Sequence, residues 1–197
     1  MKRINEDGRS SKQRIFPSLR RINIFVVIGI VLSFLFHSIS GSIRLFGAEG
    51  ISPKLSARLC LTFAAVHVII TAILTVKTLM TIRKSGRGYF RENIIFWTRR
   101  ISGFALLIPL VMHLLIFRGT GDDAYRLVFF HSGRLVSQIL LAACLALHII
   151  MNIRPMLIGM GAKQRGLLSA DICFVLSVVL LLCCCAFCAY FLRWAAF

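Results

Sequence analysis

The stretch Leu135–Ile153, LVSQILLAACLALHIIMNI, is apolar almost throughout, yet it contains one basic residue, His148. A helix needs about 20 apolar residues to cross about 30 Å of hydrocarbon, and this stretch is near that length. Four other runs have the same character, so the sequence predicts an all-α integral membrane protein with five transmembrane helices. The predicted spans are Ile22–Ser40, Leu59–Ile82, Ile101–Phe117, Leu135–Ile153 and Ile172–Leu192.

Hydrophobicity and charge are both high in this chain. Hydrophobic residues make up 58% of its 197 residues, although the formal net charge is +17. The two values coexist because the charged residues lie outside the apolar runs. The chain therefore divides into a basic tail, residues 1–21, and a five-helix membrane domain, residues 22–197. No segment is predicted to fold as a soluble catalytic domain, so chemistry that needs a flavin or a nucleotide is expected on another chain.

The basic residues are distributed unevenly between the two sides of the predicted membrane domain. Most of them precede the first span or follow the second and fourth spans: Lys2, Arg3, Arg9, Lys12, Arg14, Arg20, Arg21, Arg83, Lys84, Arg87, Arg91, Arg99, Arg100, Lys163 and Arg165. The positive-inside rule then places the N-terminus in the cytoplasm and the C-terminus outside. We expect a multi-pass protein of a bacterial cell membrane, surrounded by lipid. Nucleic-acid binding is not expected, because these residues flank membrane spans and belong to no recognition fold.

Two features of the N-terminal region allow alternative interpretations. The small residues at 38–41, Ser-Ile-Ser-Gly, follow an apolar run in the way that a signal-peptidase site does. A preceding polar tail of about twenty residues, and the loss of His37 that cleavage would cause, argue against that interpretation. The tail itself either only sets the topology or also forms a docking surface for a cytoplasmic partner.

Four of the predicted spans each contain a histidine: His37, His67, His113 and His148. An ionisable side chain inside a membrane helix is costly, so it is read first as functional. A single histidine could simply hydrogen-bond a neighbour or lie near an interface. One histidine in each of four helices favours ligation instead, because imidazoles on facing helices can hold a haem iron from both sides. We therefore predict that the first four helices form a haem-binding bundle.

The depths of the histidines suggest how they pair. His37 lies seven residues before Arg44, and His113 lies five residues before Arg118. Both helices run outward, so a rise of about 1.5 Å per residue places these two histidines at similar depths near the outer face. The histidines of the second and fourth spans lie deeper toward the cytoplasm, with a less close match in depth.

The segment HIIMNIRPM, residues 148–156, resembles the His-x-x-x-Gly-x-Arg-His string in cytochrome b subunits of the succinate dehydrogenase and fumarate reductase family. In that family the histidine ligates haem and the arginine serves the propionates, which implies these roles for His148 and Arg154. Six helical residues move the guanidinium about 9 Å along the axis, within reach of a propionate carboxylate. The chain departs from the family string at Asn152 and Pro155. A snorkelling arginine beside a proline kink is the alternative interpretation.

The segment YFRENIIFWTRRISG, residues 89–103, is similar to the cytoplasmic start of a cytochrome b helix in the same family, with its Arg-x-Ser/Thr-Gly signature. The resemblance implies that Arg100 and the nearby Trp97 line a quinone pocket. Many members have a histidine immediately before that arginine, where this chain has Arg99. The histidine thirteen residues after Arg100, His113, is typical of the single-subunit anchors that bind two haems.

The resemblance implies a haem b-containing membrane anchor that passes electrons between membrane quinone and an iron–sulfur and flavoprotein pair on the cytoplasmic face. His67 and His148 would hold the inner haem, and His37 and His113 the outer one; a single haem would occupy the inner pair. With both axial positions filled by imidazole, the iron can transfer electrons but cannot bind substrate. The anchor would therefore not be catalytic alone.

Glu49, in the loop between the first two spans, is the first candidate for a proton partner of the quinone, and a solvated loop acid is the alternative. Two other functions are also open. The chain could be the haem subunit of a different flavoprotein reductase, or a haem-free five-helix membrane protein with a structural or transport role.

Overall fold

The computed structural model of the protein describes residues 3–48, 51–85, 94–118, 129–163 and 165–195. Its elements are five helices, each long and apolar enough to cross a membrane. This confirms the predicted all-α fold with five membrane-length helices. The helices are α1 (Arg3–Phe46), α2 (Lys54–Ser85), α3 (Ile94–Phe117), α4 (Ser132–Gly159) and α5 (Arg165–Ala195).

The helices extend beyond the predicted apolar spans. α1 begins at Arg3, so the backbone of the basic tail is helical and continuous with the first span. α3 begins at Ile94 instead of Ile101, which places Trp97 and Arg100 within its first two turns. Hydropathy underestimates these helices because a polar residue ends an apolar window without ending the backbone hydrogen bonds of a helix.

Helix packing leaves an interior between two helical hairpins. α1 packs along α2 and α5, and α4 packs along α3 and α5. α1 and α4 approach each other at only a few positions, and within the described ranges the backbones of α2 and α3 do not meet. The helices therefore follow one another around an arc in the order α2, α1, α5, α4, α3. Across the interior, α1 faces α3 and α2 faces α4.

The outward surface is apolar. Phe25 of α1, Phe104 of α3 and Phe174 of α5 are each more than 70% exposed, at 72%, 71% and 71%. Soluble monomers rarely expose apolar surface on this scale, whereas lipid tails solvate it without penalty. The long apolar helices and this surface together make the chain a multi-pass membrane protein.

An aromatic cluster closes one end of the bundle. Phe130, just before α4, lies with its ring 6.4 Å from that of Phe187 of α5 and 5.3 Å from that of Tyr190. Leu45 of α1 and Ile116 of α3 are buried in the same cluster. The cluster thus joins the ends of α1, α3 and α5 to the start of α4.

Two prolines lie inside helices without ending them. Pro109 is buried in α3, four residues before His113, and Pro155 lies in α4, which continues to Gly159. Each proline removes one backbone hydrogen bond. Both helices continue past their prolines, so His113 still lies in α3 and His148 in α4.

Candidate functional site

The His37–His113 pair lies between the two facing helices α1 and α3. The ring centroids are 6.2 Å apart, and the ring planes are almost perpendicular, at 89°. Two imidazoles this close on facing helices could each supply one nitrogen to a metal ion held between them. Edge-to-face contacts between packed rings occupy the same distance range. The hydrogen bonds of each imidazole therefore matter as much as the distance between the rings.

The His67–His148 pair lies between the other two facing helices, α2 and α4. His67 is close enough to His148 and to Arg100 of α3 for charges on these groups to interact. The two sequence segments that carry the family resemblance meet here. A Cβ atom placed on Gly103 would lie 3.4 Å from Cε1 of His148, so the glycine allows α3 to approach this imidazole closely.

In the His37–His113 pair, Nδ1 of each ring has a protein acceptor. Nδ1 of His37 donates to the carbonyl oxygen of Pro53 over 3.3 Å. Nδ1 of His113 donates to Oε1 of Gln138 over 2.6 Å. These bonds occupy Nδ1 and leave Nε2 with a lone pair.

The His67–His148 pair follows the same pattern with different partners. Nδ1 of His67 donates to Oδ1 of Asn23 over 2.9 Å. Nδ1 of His148 lies 3.1 Å from Oγ of Ser102, whose proton is directed to the carbonyl oxygen of Arg99 at 2.9 Å. The amide nitrogen of Asn152 approaches the same Nδ1 at 3.4 Å but donates to the carbonyl oxygen of His148 over the shorter distance of 2.8 Å.

This arrangement suits ligands of a metal that brings most of its own coordination. Metal-bound histidines usually direct their other ring N–H to a carbonyl, amide or carboxylate, which fixes the tautomer and the ring orientation. Within the described ranges, no group of three or more His, Cys, Asp or Glu side chains could hold a bare metal ion. A haem requires only two protein ligands, because the porphyrin supplies the other four. Two imidazole pairs therefore fit haem better than a zinc or iron–sulfur site.

Arg100 gives the His67–His148 pair a positive charge. Its Nε atom is buried and has no hydrogen-bond partner among the residues that the structure describes, and its guanidinium carbon lies 5.2 Å from the ring centre of Phe96. A buried N–H without an acceptor is costly, so this position suits a carboxylate ligand group. A haem propionate has that chemistry.

The other residues predicted for the site are placed less centrally. Arg154 is exposed on α4, and Trp97 is half-buried in the first turn of α3 with its ring 5.6 Å from that of Phe96. Glu49 lies outside the described residues. The roles of these three residues stay predictions.

The sequence analysis missed the hydrogen-bond partners of the imidazoles. Gln138, Asn23 and Ser102 interrupt apolar runs or lie at their ends, and a buried amide within a membrane span is itself a signal of a functional contact. The fifth histidine, His131, is exposed immediately before α4 and belongs to neither pair.

Comparisons with protein-family models, with curated proteins and with solved structures find no match for this chain.

Proposed function

We propose that the chain is a haem b-containing membrane anchor of a succinate dehydrogenase/fumarate reductase-type complex, which passes electrons between membrane quinone and an iron–sulfur and flavoprotein pair. The observation that carries this proposal is the arrangement of four imidazoles as two pairs between facing helices, each with Nδ1 committed to a protein partner. Two haems per chain follow from two pairs.

The residues of this chain would hold each haem and keep its iron closed to other ligands. His37 and His113 would hold one haem, and His67 and His148 the other. Haem held by two imidazoles would supply one-electron transfer and no substrate chemistry. The guanidinium of Arg100 would bind a propionate beside the second pair, since its Nε faces no other partner in the described residues. Trp97 and Arg100 are our candidates for the quinone pocket.

The soluble partners would dock at the end of the bundle where the basic residues concentrate. Arg20 and Arg21 of α1, Arg83 of α2 and Lys163 after α4 are all exposed. Their positive charge suits an acidic surface on an iron–sulfur subunit. The backbone of residues 3–18 is helical and continuous with the first span.

Docking through this surface should depend on salt, because exposed charges are screened over about 10 Å at 0.1 M ionic strength. Removing residues 1–19 should weaken retention of the soluble subunits most at low salt, where the charges of the tail are least screened, while leaving haem content unchanged. Pull-down at low and high salt measures this. Equal retention by the full and shortened chains at both salt concentrations would restrict the tail to setting topology.

An absorption spectrum of the purified chain tests the haem proposal. After expression with ample haem, we expect a low-spin bis-histidine b-type spectrum and two haems per chain by pyridine haemochrome assay. One haem per chain would assign haem only to the His67–His148 pair and leave His37 and His113 with a packing role. Absence of a Soret band would overturn the proposal and favour a haem-free membrane protein.

A further inference from the structure

Gln138 is the least accessible polar side chain near the His37–His113 pair. It lies on α4 with 0% exposure, and its amide is enclosed within an apolar helical bundle. Burying an amide costs several kcal/mol, on the order of 2–7, unless its groups are hydrogen-bonded. Its Oε1 lies 2.6 Å from Nδ1 of His113, and its Nε2 donates to Oγ of Ser137 over 3.0 Å.

The direction of these bonds follows from the acceptor at the far end of this series of hydrogen bonds. Oγ of Ser137 lies 2.7 Å from the carbonyl oxygen of Arg134. A carbonyl oxygen only accepts, so the single hydroxyl proton of Ser137 is committed to it. The hydroxyl oxygen can then only accept from Gln138, which directs the amide nitrogen to Ser137 and the amide oxygen to His113. Nδ1 of His113 must therefore carry the proton.

We infer that Gln138 is the positioning residue of His113: it holds the imidazole in the Nδ1–H tautomer, so that Nε2 keeps the lone pair that a metal ligand needs. The tautomer follows from the hydrogen bonds alone. Its use in ligation rests on the proposed haem function, and in that setting Gln138 tunes the reduction potential of the haem held by His37 and His113.

The tautomer can be measured without haem. In the full-length chain purified haem-free in detergent and labelled with ¹⁵N-histidine, the nitrogen shifts of His113 should report Nδ1–H at neutral pH. Gln138→Met keeps the side-chain length but removes the acceptor, and it should produce a mixture of tautomers or the Nε2–H form. Ser33→Ala is the control, because Ser33 is a buried α1 hydroxyl bonded to the carbonyl oxygen of Gly29 at 2.7 Å. An Nε2–H signal in the unaltered chain, or an unchanged signal in Gln138→Met, would overturn the inference.

The consequence for haem is tested by redox titration of the loaded chain. Gln138→Glu offers a stronger acceptor, which increases electron donation from the imidazole, so the potential of the His37–His113 haem should fall. Gln138→Met should raise that potential or reduce occupancy, and Ser33→Ala should do neither. A packing role would move both Gln138 variants in the same direction, and that result would overturn the tuning role. If the unaltered chain binds no haem, the proposed function fails, whereas the tautomer result stands by itself.

Discussion

The two histidine pairs contain the same side chains but differ in the charge of the residues around them. Beside His37 and His113 lie a backbone carbonyl and the buried amide of Gln138, and the aromatic cluster begins within ring contact of His113, 5.0 Å away at Phe117. Beside His67 and His148 lies the cation Arg100. The hydrogen-bond partners of the first pair are neutral groups, whereas the second pair lies beside a cation. Under the proposed function the two haems would therefore differ in reduction potential, because the field at each pair comes from neighbouring residues.

Replacing one histidine of a pair should have the largest effect, because it should remove one haem and leave the other. His37→Ala and His113→Ala should each abolish the same haem and spare the other, because bis-histidine ligation needs both rings. His67→Ala and His148→Ala should likewise share a phenotype, with poorer assembly if the inner haem adjoins the subunit interface. Haem content and redox titration of the four variants measure this.

His131→Ala is the matched control for the ligand variants, since His131 is exposed and lies outside both pairs. It should retain both haems. Loss of the same haem from His37→Ala and His148→Ala would contradict the pairing and require a different arrangement of the bundle.

Crowding the imidazole of His148 should have the next largest effect on haem content. Gly103→Val places methyl groups where a Cβ would already lie 3.4 Å from Cε1 of His148, so it should displace this ring at a cost of about 1–3 kcal/mol. We expect loss of most of the His67–His148 haem and retention of the other. Gly41→Val is the control, because nothing lies within 4 Å of a Cβ at Gly41. Equal haem loss in both variants would indicate a general effect of valine on helix packing.

Removing the positive charge of Arg100 should leave both haems bound and change the reduction potential of the His67–His148 haem. A unit charge about 10 Å away at an effective dielectric of about 20 contributes about 1.7 kcal/mol, or roughly 70 mV for one electron. Arg100→Leu should therefore lower the potential of the His67–His148 haem, because loss of positive charge favours the oxidised form. Arg154→Leu should give a smaller shift in the same direction, since that side chain is exposed.

Redox titration distinguishes the two arginines. A larger shift for Arg154→Leu than for Arg100→Leu would assign the propionate to Arg154, as the sequence resemblance implied. Arg100→Leu could instead shift the reduction potentials of both haems equally. That result would contradict the electrostatic difference between the two histidine pairs.

The five helices were predictable from the sequence because crossing a membrane requires a long apolar run, and that requirement is local. The histidines could be recognised for the same reason, since a polar residue such as His148 is conspicuous within such a run. Depth, counted from flanking arginines, also indicated which histidines could meet, because the rise of a helix is regular. The helix ends were less predictable: the start of α3 at Ile94 depends on backbone continuity through polar residues.

Only the tertiary structure decided which side chains surround each imidazole. Gln138 lies 25 residues from His113, and Asn23 lies 44 residues from His67, so no local pattern joins either pair. Arg100 approaches the second pair although Arg154 is nearer to His148 in the sequence. The apolar runs and the ligand types were determined by the sequence itself, because burial in lipid acts on each segment separately. The tautomers and the local field were determined by helix packing, because hydrogen bonds and charges act across helices that only the fold brings together.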